Sequence, residues 1–189
     1  VPNSPPMRDS TLLHDLISRS AERRAANPAV TSGKITLNYG ELQEATTRFS
    51  NGLLALGLQR GERVAIYLDK RFETVISSFG APAAGGVFVP LNPLLKAEQV
   101  GYILRDCNVR VLVTSPERLA LLQDTLPDCH DLRHVVVVDA AELPASIGAL
   151  NIHRWADLLE QPSRQGHRLI DTDILGILYT SGSTGRPKG

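Results

Sequence analysis

The segment from Thr180 to Gly189, TSGSTGRPKG, holds the side chains best suited to bind a charged ligand. Glycine lets the backbone adopt a positive φ angle and approach a ligand closely. Serine and threonine hydroxyls are hydrogen-bond donors, and Lys188 adds a compact positive charge. Backbone amides, hydroxyls and a lysine together form a cradle for phosphate groups. The segment therefore predicts a polyphosphate-binding loop.

Two common nucleotide-binding patterns do not fit this segment. A Walker loop ends in Gly-Lys-Ser or Gly-Lys-Thr, whereas here Pro187 precedes Lys188 and Gly189 follows it. The dinucleotide pattern GxGxxG is not matched either. A P-loop kinase and a Rossmann dehydrogenase are therefore disfavoured. Composition alone leaves open a simple flexible turn, because clusters of Ser, Thr and Gly are common in loops.

Hydrophobic periodicity upstream predicts alternating strands and helices. Two short strands at 29–31 and 35–37 flank a hairpin turn. Apolar stripes at helical spacing predict helices at 13–21, 42–56, 72–79, 100–107, from 115 onward, and at 155–159. Further strands are predicted at 63–68, 87–89, 109–114, 134–139 and 174–179. Pro82 and the pair Gly85-Gly86 are expected to terminate the helix that begins at residue 72, and a proline inside a helix would bend or end it.

The predicted strands from residue 63 onward are apolar almost throughout, and most are separated by amphipathic helices. This alternation is typical of a parallel sheet that is covered on both faces. The predicted fold class is therefore α/β, doubly wound, with a mainly parallel sheet and helices on both faces. Residues 1–9 hold three prolines and no periodicity, which predicts a flexible leader. Residues 10–189 are predicted to form an incomplete α/β domain that ends at the phosphate-binding loop.

Composition excludes several classes of function. The chain has 20 Lys and Arg against 20 Asp and Glu, so it offers no electrostatic basis for binding nucleic acid or acidic membranes. No apolar run approaches the roughly 20 residues of a membrane-spanning helix, and the first residues do not resemble a secretory signal. Cys107 and Cys129 form no disulfide framework, so free thiols are expected. These features predict a cytoplasmic protein.

The histidines do not predict a metal site. Cys129, His130 and His134 lie close together in sequence, but further ligands at the usual spacing are missing. A surface turn before a strand is the expected structure there. His153 is expected to be isolated, in a packing or solvent-facing role.

The order of residues 179–189, YTSGSTGRPKG, closely resembles the phosphate-loop signature of the AMP-forming adenylate synthetases. This superfamily contains acyl-CoA synthetases, peptide-synthetase adenylation domains and luciferases. Weaker similarities stand upstream in the expected order, at 35–42 (ITLNYGEL) and 84–93 (AGGVFVPLNP). The resemblance runs from about Leu12 to the end of the chain. It implies that these residues are part of the large N-terminal domain of an adenylate-forming enzyme.

The resemblance implies a reaction in two steps. A carboxylate attacks the α-phosphate of ATP to give an acyl-adenylate and pyrophosphate, and the thiol of CoA then displaces AMP. By matching positions, the implied phosphate-binding residues are Thr180, Ser181, Gly182, Ser183, Thr184, Gly185, Lys188 and Gly189. Lys188 is also the implied catalytic residue, because it would neutralise the charge that develops on the leaving pyrophosphate.

Most of the family's active site has no counterpart in this sequence. The adenine-binding motifs, the Mg²⁺-binding glutamate, most of the acid pocket and the lysine of the mobile C-terminal domain lie further along in that family. The resemblance therefore implies that ATP binds with a Mg²⁺ ion whose ligand is outside this chain. It also predicts that these residues alone have no ligase activity.

Three functions stay open after the resemblance is drawn. The leading one is an acyl-CoA synthetase that uses ATP, CoA and a carboxylic acid, expected to be a fatty acid. Asn92-Pro93-Leu94 resembles that branch, because peptide synthetases commonly carry Pro-Leu-Asp-Pro at this place. The second is an adenylation domain that loads an amino acid onto a carrier protein. The third is a non-catalytic, truncated product that folds around the parallel sheet.

Overall fold

The computed structural model describes residues 12–140, 142–143, 146–181 and 187–189. The helices are α1 Asp15–Arg24, α2 Tyr39–Ala55, α3 Phe72–Ala83, α4 Ala97–Asp106, α5 Pro116–Leu122 and α6 Trp155–Leu159, with a 3-10 turn at Leu126–Asp128. The strands are β1 Pro28–Ser32, β2 Ile35–Asn38, β3 Arg63–Tyr67, β4 Val87–Pro90, β5 Val109–Thr114, β6 His134–Val137, β7 Ser146–Ile147, β8 Leu150–Arg154, β9 Thr180–Ser181 and β10 Pro187–Lys188.

The central sheet has six strands in the order β4-β3-β5-β6-β8-β7. All neighbours pair in parallel except β7, which runs antiparallel to β8. Side chains alternate between the faces: Val64 and Ile66 pack with α1, α2, α3 and α6, whereas Ala65 and Tyr67 pack with α4 and α5. Because helices cover both faces, the central strands β3, β5 and β6 are mostly apolar on both sides. This confirms the predicted doubly wound α/β fold.

Local sequence signals set the ends of the first elements. Strands β1 and β2 form the predicted antiparallel hairpin, with Gly33 in its turn at φ +61°. Asn38 caps α2 through a capping box, in which its side chain accepts from the Glu41 amide and Glu41 accepts from the Asn38 amide. Gly57, at φ +82°, ends the helix in the left-handed conformation that glycine tolerates best.

Helix α3 differs from its prediction at Pro82. The helix continues through Pro82 to Ala83, and Pro82 is buried. A proline in the last turn removes one backbone hydrogen bond, and little helix follows it that could be disturbed. The termination signal is Gly85, at φ +84°, whose amide donates to the Pro82 carbonyl at 2.9 Å. The expectation that Pro82 ends the helix is wrong, whereas the expected stop at Gly85 is confirmed.

Two segments at the sheet edges also differ from prediction. Strand β8 was not predicted, because Leu150 and Ile152 give it only a short alternation of apolar residues. The strand predicted over 174–179 is reduced to a single bridge between Gly176 and Phe88 of β4. Among the residues that the structure describes, this segment pairs with β4 alone, and Ile174 and Leu178 are 70% and 65% exposed. A long ladder does not form there.

Within the described residues, no helix combines the length and the apolar character needed to cross a membrane. Cys107 and Cys129 are free thiols, as the sequence predicts, and both side chains are buried. Burial raises the pKa of both thiol groups.

Candidate functional site

The two ends of the predicted phosphate-binding loop are paired in a short antiparallel ribbon. In this β9–β10 ribbon, Thr180 lies opposite Lys188 and Ser181 lies opposite Pro187. The hydroxyl of Thr180 donates to the Lys188 carbonyl at 3.4 Å. Thr180, Lys188 and the adjoining Gly189 are exposed to solvent. The ribbon thus brings a hydroxyl and a lysine to one place on the surface.

The remaining predicted phosphate-binding residues lie between the two strands of the ribbon. Gly182, Ser183, Thr184 and Gly185 lie outside the described residues. Their roles stay predictions from the sequence. Across the described part of the chain, Lys188 makes no ion pair, so its charge is not neutralised by a carboxylate there.

Tyr179 joins the ribbon to the body of the domain. Its hydroxyl donates to Asp106 Oδ2 at 2.5 Å, across 73 positions of sequence. Its half-buried ring packs against the core on the α4 side of the sheet. Burial and the hydrogen bond to Asp106 raise the pKa of Tyr179 well above its usual value, so the hydroxyl remains a donor.

Gly189 fits against the ring of Tyr179. A Cβ atom built on Gly189 would lie 2.7 Å from the ring atom Cζ, closer than real contacts allow. The residue before the ribbon and the residue after it therefore meet at one aromatic ring. The sequence prediction assigned no role to Tyr179 or Asp106. The available signal was the position of Tyr179 at the start of the phosphate-loop signature.

The segment that leads into the ribbon is fastened to the sheet by polar contacts. Asp173 accepts two hydrogen bonds from Arg60 in an ion pair, and one of them joins Arg60 Nε to Asp173 Oδ2 at 3.0 Å. Hydrogen bonding from Arg60 lowers the pKa of Asp173. His167 Nε2 lies 2.8 Å from the Leu58 carbonyl. The Phe88 amide donates to the carbonyl of Leu175 at 3.1 Å. Residues 167–175 thus carry the ribbon alongside β4.

The carboxyl ends of the parallel strands are a second place where open α/β sheets bind ligands. Here the charged side chains pair with one another. Arg71 donates to Glu73 at 3.0 Å and to Asp139 at 2.6 Å, and Arg118 donates to Asp69 at 2.7 Å. Because Arg71 and Arg118 are each paired with carboxylates, they are not free to bind an anionic ligand, and the ribbon remains the candidate site.

The histidine expectations need one correction. His153 is not isolated: its Nε2 lies 3.1 Å from Nδ1 of His134, because β6 and β8 pair in parallel. Burial lowers the pKa of both histidines. The expected surface turn is present at residues 130–131, before β6, but Cys129 itself is buried in the core. Within the described residues, no group of three or more His, Cys, Asp or Glu side chains could hold a metal ion.

Comparison with known proteins agrees with this geometry. Residues 17–189 match the model of a family described as AMP-binding enzyme. The chain belongs to the AMP-binding enzyme family. The matched residues include both strands of the β9–β10 ribbon and the central sheet.

Several relatives in this family have known activities. The chain is 34% identical over 187 residues to a 4-hydroxybenzoate–CoA/benzoate–CoA ligase of Rhodopseudomonas palustris. The aligned region covers 97% of this chain and 33% of that protein. It is 32% identical over 180 residues to tyrocidine synthase 3 of Brevibacillus parabrevis, and here the aligned region covers 94% of this chain and 2% of that protein. The chain thus spans a third or less of the length of these relatives.

Solved structures of two ligases share the fold. A crystal structure of an anthranilate CoA ligase in complex with anthranoyl-AMP superposes with a TM-score of 0.78 at 31% identity, over 93% of this chain and 33% of that one. Coronafacic acid ligase of Pectobacterium brasiliense superposes with a TM-score of 0.82 at 22% identity, over 90% of this chain and 34% of that one. The second likeness shows the fold alone.

Proposed function

We propose that this chain is the phosphate-binding part of an AMP-forming ligase that activates a carboxylic acid. In the first step an oxygen of the carboxylate attacks the α-phosphorus of ATP, and the bond to the bridging oxygen of pyrophosphate breaks. In the second step the sulfur of CoA attacks the acyl carbon, and AMP leaves. The observation that carries this proposal is the β9–β10 ribbon, which holds Thr180 beside Lys188.

The chemistry asked of these residues is mainly electrostatic. As pyrophosphate leaves, negative charge grows on its oxygens, and positioned donors that face this charge lower the barrier. Lys188 would neutralise part of it, and the hydroxyl of Thr180 and the backbone amides of the loop would donate to the phosphate oxygens. The exposure of both side chains and the unpaired charge of Lys188 within the described residues support these roles.

The rest of the active site is proposed to lie outside this chain. The chain spans about a third of the benzoate–CoA ligase relative. We therefore place the Mg²⁺ ligand, the adenine site and most of the acid pocket in further sequence, and we expect these 189 residues alone to be inactive. A cytoplasmic location is part of the proposal, because ATP and CoA are available there.

Adenylation of an amino acid is the second candidate, because tyrocidine synthase 3 is 32% identical to the chain. The side chain of Asn92 accepts a hydrogen bond from the Leu94 amide at 2.9 Å in a turn. An aspartate would accept the same bond, so the turn itself does not distinguish the two branches. The acid class, including the expected fatty acid, is therefore decided by assay.

The test is ATP–pyrophosphate exchange with the whole protein that carries this chain, across fatty, aryl and amino acids. Exchange with a fatty or aryl acid, followed by CoA thioester formation, is the expected result. Exchange with amino acids only would favour the second candidate. A folded protein that catalyses no exchange with any acid would overturn the proposal.

A further inference from the structure

Tyr179 contacts both ends of the β9–β10 ribbon and the helix behind it. It precedes Thr180 directly, its ring leaves no room for a side chain at Gly189, and its hydroxyl donates to Asp106. Two independent contacts thus meet at one residue that is next to the candidate phosphate site in the chain. The ribbon itself has only two residue pairs, Thr180 with Lys188 and Ser181 with Pro187. So short a ribbon needs support from outside to keep one arrangement.

Asp106 stands at an electrostatically unfavourable place for its helix. It is the last residue of α4, where the partial negative charge of the helix end repels a carboxylate. Its side chain therefore does not stabilise α4. What it does provide is a charged acceptor for the Tyr179 hydroxyl, and hydrogen bonds to charged groups are the stronger ones. The contact fixes the start of the ribbon relative to α4.

Core packing alone does not explain this pair. Tyr102, on the same helix, is also half-buried and packs against the same core, yet within the described part of the chain its hydroxyl makes no hydrogen bond. A tyrosine there thus needs no acceptor in order to pack. The hydroxyl of Tyr179, in contrast, has an acceptor in Asp106, which lies 73 positions away in sequence and is exposed at the surface.

From these contacts we propose that Tyr179 and Asp106 are positioning residues, which hold Thr180 and Lys188 in the arrangement that receives the phosphates of ATP. This inference rests on the proposed function for its ligand. The contacts of Tyr179 with Asp106 and Gly189, called the clamp below, are a property of the fold. When the clamp is released, the ribbon populates other arrangements, and ATP must select the competent one. The apparent affinity for ATP is then the intrinsic affinity multiplied by the fraction of molecules in which the ribbon has the competent arrangement.

The first test is Tyr179→Phe in the whole protein, with Tyr102→Phe as the matched control. Loss of a hydrogen bond to a charged group is worth about tenfold in an equilibrium constant. We expect the KM for ATP to rise about tenfold, with the KM for the acid and the melting temperature unchanged. Asp106→Asn keeps an oxygen acceptor, so its effect should lie between that of the wild type and that of Asp106→Ala. Tyr102→Phe should change none of these values.

A second readout does not depend on activity. Trypsin cuts after Lys188, whereas Pro187 protects the bond after Arg186, so cleavage at Lys188 detected by mass spectrometry reports opening of the ribbon. We expect Tyr179→Phe to speed this cleavage about tenfold and ATP to slow it. An unchanged cleavage rate, or an equal rise in the KM values of ATP and acid with a lower melting temperature, would overturn the inference. Faster cleavage in a protein without any exchange activity would uphold the clamp and refute the proposed function.

Discussion

Gly189→Ala is expected to disturb the phosphate site through Tyr179, by an amount that the structure lets us work out. The new Cβ would lie 2.7, 2.8 and 3.0 Å from three ring atoms, whereas ordinary contact begins at 3.4 Å. The ring must therefore move by about 0.7 Å, the difference between 3.4 and 2.7 Å. A shift of that size along the bond to Asp106 would stretch it from 2.5 Å to about 3.2 Å, beyond the normal range for O–H···O bonds.

The energetic consequence follows from this displacement. Overpacking typically costs about 1–3 kcal/mol, which corresponds to about a five- to hundredfold change in an equilibrium constant. Backbone strain adds nothing, because the φ of Gly189 is not in the left-handed region. We expect the KM for ATP in the exchange assay to rise at least fivefold. Gly166→Ala is the control, because Gly166 is exposed and a Cβ there would meet nothing within 4 Å.

A double-mutant cycle identifies the ring as the cause. In a Tyr179→Ala background the new methyl group has no ring to meet, so Gly189→Ala should then add little. Residues in contact are expected to be non-additive in this way. Fully additive effects, or an equal effect of Gly166→Ala, would refute the reasoning.

Three further predictions concern the site and the core. Lys188→Ala should lower the kcat of exchange about 10²- to 10³-fold, as loss of a transition-state donor does, whereas Lys34→Ala, in the exposed hairpin turn, should not. Phe49→Ala should lower the free energy of unfolding by about 3–5 kcal/mol, because the ring is fully buried and stacks on a tryptophan at 4.7 Å; Leu94→Ala, 87% exposed, should cost less than about 0.5 kcal/mol. Burial lowers the pKa of His153, so below pH 6.5 the unfolded chain binds more protons than the folded chain does. The free energy of unfolding should therefore fall from pH 7 to pH 5, and His153→Gln should reduce that fall.

Each of these has a clear contrary result. A kcat that stays within threefold after Lys188→Ala would remove that residue from the catalytic role. Equal urea midpoints for the Phe49 and Leu94 variants would contradict the described core. For the histidine, the control is His130→Gln, at an exposed position. An equal effect of the two histidine variants on the pH dependence would contradict the half-buried environment of His153.

Much of the fold was predictable because the signals lie in neighbouring residues. The strands that are buried on both faces are apolar in sequence, as Val111 to Val113 show. Asn38 and Glu41 cap α2 within one turn of each other, and Ser115 caps α5 by accepting from the Arg118 amide. Such contacts depend on residues three or four positions apart, so their pattern can be read along the chain.

Tertiary structure decided the features that depend on distant partners. Strand β8 forms because β6 pairs with it, and the segment 174–179 forms one bridge because, within the described part of the chain, β4 is its single neighbouring strand. The same parallel pairing brings His134 to His153, which the sequence treats as separate.

The candidate site shows both contributions. Its residue types and their order, from Thr180 to Lys188, are present in the sequence and predict phosphate binding. The partner of Tyr179 is not, because Asp106 lies 73 positions away and carries no local signal of its role. Only the packing of the last segment beside α4 and β4 brings the two together. The sequence by itself thus determined which groups are predicted to bind a phosphate, and the tertiary structure decided what holds them, since contacts between distant residues depend on how the chain folds.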